Sequence, residues 1–432
     1  MKKLLLSILV LLPLFAGAQK VTLTLDRAIA MANDSSLQAF RVKNMYLTQY
    51  WSYRSYRAAR LPSLSLNLTP ASYSHSISKR YNSVDNVDIF MSQHSYSADG
   101  SLQISQNFDP LGGTFYLETG LQYMRNFGDN AGNQFSSVPV RIGYSQSLIG
   151  FNQFKWDKKI EPLKFEKAKN ELIFNMQGVA ESVVNYYFAL ALAQEEYRLA
   201  LDNLASCDTL YTIGERRYKI LQISDADLLT LKLDKVNAGN TLENARMTLK
   251  RAMFSLATFL GMDQNSEISV KIPAAPMAKE IPLDIALAEA KRHNPDLLQH
   301  RQNILEARRD LNRTSVESRF NANLNASVGF NQVATSLSKA YKDPSRQELV
   351  QLSLSIPLVD WGVRKGKVNM ARNNLNVVEI AARQQELTIE EDVVMTVSDF
   401  NIQQQLVESA LEALDLADMA YDRTMKRFII GK

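Results

Sequence analysis

The chain has 432 residues, 49 Lys+Arg against 45 Asp+Glu for a formal charge of +4, and 46% apolar residues. That length allows two or three domains or one repetitive architecture, the apolar content excludes a wholly disordered chain, and balanced charge without a basic cluster argues against a nucleic-acid partner. The single cysteine excludes an intrachain disulfide and a cysteine-clustered zinc site, and His75, His94, His293 and His300 include no pair three or four apart, the spacing of a helical metal site.

Lys2 and Lys3 precede the apolar run Leu4 to Phe15, and Ala16-Gly17-Ala18 supplies small residues for cleavage, so residues 1–18 read as a secretory signal. No later stretch is apolar for eighteen residues, and no transmembrane helix is expected. Two openings follow one pattern: Leu25-Asp26-Arg27-Ala28-Ile29-Ala30 recurs as Leu283-Asp284-Ile285-Ala286-Leu287-Ala288, each leading into amphipathic helix up to about Arg60 and Arg319. Residues 140–221 align without gaps onto 350–431, with Val140 on Val350, Asp208 on Asp418, Tyr211 on Tyr421 and Arg217 on Arg427. The chain is therefore read as two copies of one unit. The offset falls from 258 to 210 along the chain, so the first copy carries about fifty extra residues within 70–139.

Each copy contains strands of one kind. Leu64, Leu66 and Leu68 alternate with Ser65 and Asn67, and Val138, Val140, Ile142 and Tyr144 alternate with Arg141, Gly143 and Ser145. In the second copy Leu324 and Val328 alternate with Asn323 and Asn325, and Leu352, Leu354 and Ile356 with Gln351, Ser353 and Ser355. The added segment holds two more candidates, Leu102 to Phe108 and Phe115 to Tyr123. Period-two alternation gives one apolar and one polar face. It fits a soluble sandwich that buries the apolar face, or a membrane barrel that turns it to lipid. In the barrel reading Leu64, Leu66, Leu68, Val140, Ile142, Leu324, Val328, Leu352, Leu354 and Ile356 face lipid. Asn323, Asn325, Gln351 and Ser353 then face water. Phe108, Phe151, Phe154, Trp156, Phe330 and Trp361 are candidates for interfacial aromatic girdles.

Helix-compatible sequence runs from about Lys155 to Leu221, and from Val363 to Ile430 without proline. Segments of that length span roughly 100 Å and read as coiled coil or stacked hairpin. Val407, Leu411, Leu414, Tyr421, Met425 and Phe428 form a heptad seam. Asp418 and its counterpart Asp208 sit in the seam, either as lumen-facing or register-setting carboxylates or, on the plainer reading, half-solvated at its edge. Ser224, with Asp227 three residues on, predicts the N-cap of a returning helix that reaches Gly261, so an antiparallel hairpin turns at 218–224. The expected organisation is residues 19–60 as first N-terminal helices, 61–148 as strands with the insertion, 149–261 as a helical hairpin and 262–280 as linker. Residues 281–318 then form the second N-terminal helices, 319–358 strands and 359–432 a long helix. No nucleophile elbow, Walker loop, dinucleotide-binding glycine triplet or zincin motif is present, so neither an enzyme nor a cofactor is expected.

The signal, the paired openings, the strand pairs and the helical hairpins resemble the TolC-type outer-membrane efflux proteins over essentially the whole mature chain. The most specific pieces are Leu358-Val359-Asp360-Trp361-Gly362 after a strand and Arg217-Tyr218 with Ile223-Ser224 and Asp227 at the hairpin tip. The resemblance implies an α+β homotrimer in the cell outer membrane. Each protomer would give two strand pairs to a shared twelve-stranded barrel, continued by a helical coiled-coil tube in the periplasm. It also implies tips, here Tyr218, Leu221, Gln222, Ile223, Ser224, Phe428 and Gly431, that meet the periplasmic membrane-fusion adaptor of an inner-membrane pump. The duct would give passive exit to drugs, small molecules or secreted proteins, in tripartite efflux or type I secretion. Asp225 matches a gate carboxylate of the first tip; it is equally a helix N-terminal acid favoured by the macrodipole. Three departures stand out. Leu221 replaces the usual tip glycine, which Gly431 keeps. The inserted strands either cross the membrane or form an external loop. The sequence stops at Lys432, opposite Gln222, so a truncated chain without its second returning helix is expected. The alternative is a non-conducting periplasmic or surface coiled-coil scaffold.

Overall fold

A computed structural model of the chain describes residues 21–82, 86–128, 131–263, 266–273 and 279–430. The signal segment and Gly431 lie outside them. In chain order the elements are β1 (Val21–Leu23), α1 (Leu25–Ser35), α2 (Leu37–Ala58), β2 (Ser63–Asn82), β3 (Val87–Phe108), β4 (Gly113–Phe127) and β5 (Gly132–Ser147). There follow α3 (Gln153–Lys219), α4 (Asp225–Leu260), β6 (Ile268–Val270), α5 (Leu283–His293), α6 (Pro295–Glu317), β7 (Asn321–Ala334), β8 (Ser345–Ser355) and α7 (Val363–Ile430). They divide into two compact units. The first holds the chain up to Leu47, Lys169–Glu280 and everything from Gln403, and the second holds Thr48–Ala168 and Ile281–Ile402. No described helix is long and apolar enough to cross a membrane.

In the first unit, residues 262–280 are more than a connector, because β6 within them pairs in parallel with β1. Two side chains of α3 hold that small sheet. Tyr187 is fully buried and its hydroxyl donates between the carbonyls of Leu23 (3.1 Å) and Lys271 (2.5 Å). Gln194 both accepts from the Val270 amide (2.8 Å) and donates to its carbonyl (3.2 Å). Around them Leu23, Val183, Leu190, Leu256, Leu260 and Ile268 form one buried apolar cluster. α4 ends where Gly261 takes a left-handed φ of 71° and its amide caps the last turn, the conformation glycine adopts without strain. The α7 segment from Gln403 onward leaves Leu411, Leu414 and Tyr421 exposed along the predicted seam.

The second unit carries one six-stranded antiparallel sheet in the order β2-β3-β4-β5-β7-β8. The two strand pairs expected from the resemblance are thus exceeded: the inserted residues form β3 and β4, paired from Phe108–Gly113 upward and built into the sheet between β2 and β5. An even number of added antiparallel strands leaves the direction of β5 unchanged, which is why the insertion does not disturb the exit into α3. Two prolines lie inside strands, where the missing N–H would break a ladder. Both sit at register shifts: Pro70 within the shift between Thr69 and Ser72, and Pro139 within that between Ser137 and Val140. The second shift overturns one expectation. Val138 pairs with Gly120, on the face opposite Val140 and Ile142, because a bulge inverts the alternation beyond it. Ile356 is a second correction, lying one residue beyond the end of β8. Phe154 and Trp156 fall in the first turn of α3 rather than at a strand end. Beside the sheet, α3 joins α6 through Trp156 Nε1 donating to Asn312 (3.2 Å) and through Lys164, 3.5 Å from Glu306. Tyr53 of α2 stacks on Phe165 at 4.6 Å.

Candidate functional site

Paired positions in neighbouring strands point to the same face, so register decides which residues share a surface. One row runs Leu64, Ile104, Leu117, Ile142 and Val328 across five strands. A second runs Phe115, Tyr144, Ala326 and Val350. Leu66 pairs with Leu102, Leu324 with Leu352, and Val140 with Phe330. Nine of the ten residues read as lipid-facing, all but Ile356, therefore lie on one apolar face. Its leucines stay exposed: Leu64, Leu66 and Leu68 are 65%, 62% and 63% exposed, and Leu352 64%. Toward the upper end of β8 this face turns charged, where Arg346 and Glu348 pair opposite Phe330 and Val328.

The other face is polar. Asn325 lies between Ser145 and Gln351, and Asn323 between Ser147 and Ser353. Ser145 donates to the Asn325 side chain (2.7 Å), and the hydroxyls of Ser63 and Ser105 meet at 2.8 Å. Its strongest feature was not predicted: Glu118 of β4 and Arg141 of β5 face each other there and form a half-buried ion pair. Arg141 was visible in the alternation, but its partner sits in the inserted segment, whose register no sequence pattern fixes. Beside the pair the Tyr116 ring lies flat over Gly143, where a Cβ would overlap it.

The hairpin between α3 and α4 turns through two caps placed back to back. At the end of α3 the Gln222 amide reaches the Arg217 carbonyl and the Leu221 amide the Tyr218 carbonyl, both at 2.9 Å. Those two bonds make a Schellman turn. The residue it forces into the left-handed region is Leu221, at φ 61°, and its side chain is 90% exposed. Ser224 then caps α4 in a full capping box, accepting from the Asp227 amide (3.2 Å) while Asp227 accepts from the Ser224 amide (3.0 Å). These bonds hold the Asp227 carboxyl below its usual pKa. Tyr218 and Gln222 are exposed beside Leu221, whereas Ile223 is half-buried against the groove that Leu210, Ile213 and Leu231 line between the arms. Asp225 is exposed in the first turn of α4. Asp208 pairs with Lys235 across the hairpin at 2.5 Å, both half-solvated. The backbone of Phe428 lies in the last turn of α7, and Gly431 lies beyond the described residues.

At the entrance to α7, Asp360 accepts from the Gly362 amide (3.2 Å), the Arg364 amide (2.9 Å) and Arg364 Nε (2.5 Å). The Arg364 side chain and these amides bring its carboxyl from the ordinary 3.8 down to about 2. Trp361 follows at φ 54° and 96% exposed, ahead of Gly362 at φ 91°.

Residues 286–432 match the family described as outer membrane efflux protein. The chain is 23% identical over 346 residues to outer membrane protein TolC of Escherichia coli K12, covering 74% of this chain and 68% of that one. The chain thus resembles the outer membrane efflux protein family, with the family match confined to its second half. Its fold is that of solved channels. The Campylobacter jejuni CmeC outer membrane channel matches with a TM-score of 0.65 at 14% identity, covering 94% of this chain and 77% of that one. VceC of Vibrio cholerae matches at 0.64 and 14%, covering 94% and 86%, and the Neisseria gonorrhoeae MtrE channel at 0.61 and 15%, covering 94% and 80%. These solved structures are outer-membrane channels, and no group of three or more His, Cys, Asp or Glu placed to hold a metal ion lies among the described residues. The chain's candidate functional surfaces are the two sheet faces and the hairpin tip.

Proposed function

We propose that the chain is one subunit of a homotrimeric outer-membrane duct, in which the apolar sheet face meets lipid and the polar face lines water. The carrying observation is the apolar face, its leucines exposed, that continues in register across all six strands. A soluble sheet must bury such a surface, and lipid is the partner that needs no further protein element. The charged Arg346–Glu348 pair then marks the outer limit of the hydrocarbon. β2 and β8 are the free edges of the sheet, and open edges are not tolerated within a membrane. The internal repeat supplies their partner. If the two copies pack alike, β8 meets β2 of a neighbouring chain as β5 meets β7. The pairs Tyr144–Ala326 and Ser145–Asn325 carried over by the repeat offsets set Leu354 against Leu68 and Ser355 against Asn67. This register keeps both apolar residues on one face. Three chains of six strands close an eighteen-stranded barrel, wider than the twelve strands that the resemblance implies.

The mechanism is passive. A water-filled bore removes the desolvation cost that a polar solute meets in hydrocarbon. The helical part lies in the periplasm. There the exposed Leu221 tip, with Tyr218 and Gln222, meets a membrane-fusion adaptor coupled to an inner-membrane pump, and docking splays the tips. Tripartite efflux and type I secretion both use this arrangement.

Arginine substitutions test the assignment of faces. Leu354→Arg places a charge on the lipid side and costs about 2–4 kcal/mol near the midplane, whereas Ser353→Arg points into water and costs far less. The yield of membrane-inserted trimer is expected to fall sharply for the first alone. Equal tolerance of both, or recovery of the wild-type chain in the soluble periplasm, would favour the scaffold reading.

A further inference from the structure

β2 and β3 run beyond the rest of the sheet, since β4 ends at Phe127 opposite His94. Near the point where they leave it, His75 pairs directly with His94. The two imidazoles stack with centroids 3.9 Å apart and planes at 24°. Both Nε2 atoms converge on one hydroxyl: Ser92 Oγ lies 3.0 Å from His75 Nε2 and 3.0 Å from His94 Nε2. The Tyr73 hydroxyl lies 3.3 Å from His94 Nδ1. Tyr73, His75, His94 and Ser92 share one face of the hairpin, because their paired positions alternate in step.

Two imidazole nitrogens held within reach of a common point are the start of a metal site. We propose that His75 and His94 chelate a divalent first-row transition-metal cation through their Nε2 atoms, with Ser92 and water completing the coordination. The rings stack 3.9 Å apart and share one oxygen 3.0 Å from each nitrogen, so the two nitrogens face one point and ring rotation can bring them to a common ion at about 2.0–2.1 Å. Imidazole is the side-chain ligand best suited to Cu, Ni and Zn, with Cu(II) bound most tightly. Without metal, the hydrogen-bond chain is satisfied when Tyr73 donates to His94 Nδ1, His94 Nε2–H donates to Ser92, and Ser92 donates to His75 Nε2. Metal binding frees both Nε2 lone pairs by moving the His94 proton to Nδ1, from which it donates to the Tyr73 oxygen. Tyr73 thereby supplies the outer hydrogen bond that orients a metal-bound histidine. This tautomer change releases no proton. The site belongs to one hairpin of one chain, so it does not depend on barrel closure.

The test is calorimetric titration of the purified, detergent-solubilised protein with Cu(II), alongside electron paramagnetic resonance. Binding at micromolar concentration is expected, with one site per chain that disappears in both His75→Gln and His94→Gln. The spectrum should show hyperfine splitting from two nitrogens. Tyr73→Phe should weaken binding by about tenfold while leaving the two-nitrogen signature intact. His293 and His300 provide the background that survives in the His75→Gln/His94→Gln double variant. Binding that persists undiminished in that variant, a one-nitrogen spectrum, or no binding above background overturns the proposal. Unchanged thermal unfolding of the glutamine variants excludes loss of fold as the cause.

Discussion

Leu221 shows how one residue can carry strain in an exposed turn. The two backbone bonds that close α3 require a left-handed residue, and for a side chain with a Cβ that conformation costs about 1–2 kcal/mol. Leu221→Gly should therefore slow amide exchange of Gln222 and its neighbours by stabilising the turn. The same variant should weaken adaptor capture if the 90% exposed side chain is part of the docking surface. Faster exchange would show that Leu221 is not strained. Asp360 makes a second residue-scale prediction. Its folded pKa of about 2 lies below the ordinary 3.8, so its contribution to the start of α7 is complete above the ordinary value. It is lost as pH falls from there toward 2. In Asp360→Asn this acid-dependent loss should vanish from hydrogen exchange at the Gly362 and Arg364 amides; an unchanged profile would assign the effect elsewhere.

Elements differ in how plainly the sequence announced them. α7 begins and ends where the proline-free run does, at Val363 and Ile430, and the Ser224–Asp227 spacing located the start of α4. Such signals are local. Pairings between distant strands are not, and there the reading fell short. Alternation placed Val138 with Val140, but the bulge at Pro139 put them on opposite faces. Leu102–Phe108 and Phe115–Tyr123 were legible as strands, yet only the full register of β3 and β4 against β2 and β5 showed that they continue the apolar face. The ion pair of Glu118 with Arg141 and the stacking of His75 on His94 depend on that same register. A β3–β4 deletion, removing residues 83–131, tests the element directly. It should leave a barrel of four strands per chain whose bore area is roughly 0.4 of the original, since diameter grows about linearly with strand number. Polymer exclusion from the outer mouth in planar bilayers would report the narrowing. An unchanged exclusion size would place the added strands outside the wall.

At the scale of the whole molecule, everything turns on what the free edges β2 and β8 do. In the proposed trimer the repeat would set Asn67 of one chain beside Ser355 of the next, on the polar face, where paired positions bring cysteines within bridging distance. The decisive measurement is cross-linking of the mature chain in outer membranes, with Cys207→Ser to remove the native thiol and with Asn67→Cys and Ser355→Cys added. Ser145→Cys with Asn325→Cys, a pair within one chain, serves as the positive control. A ring of three should give covalent dimers and trimers and nothing larger on denaturing gels, while the control gives only an internally bridged monomer. Monomer alone from the Asn67–Ser355 pair, with the control fully bridged, would contradict barrel closure between β8 and β2.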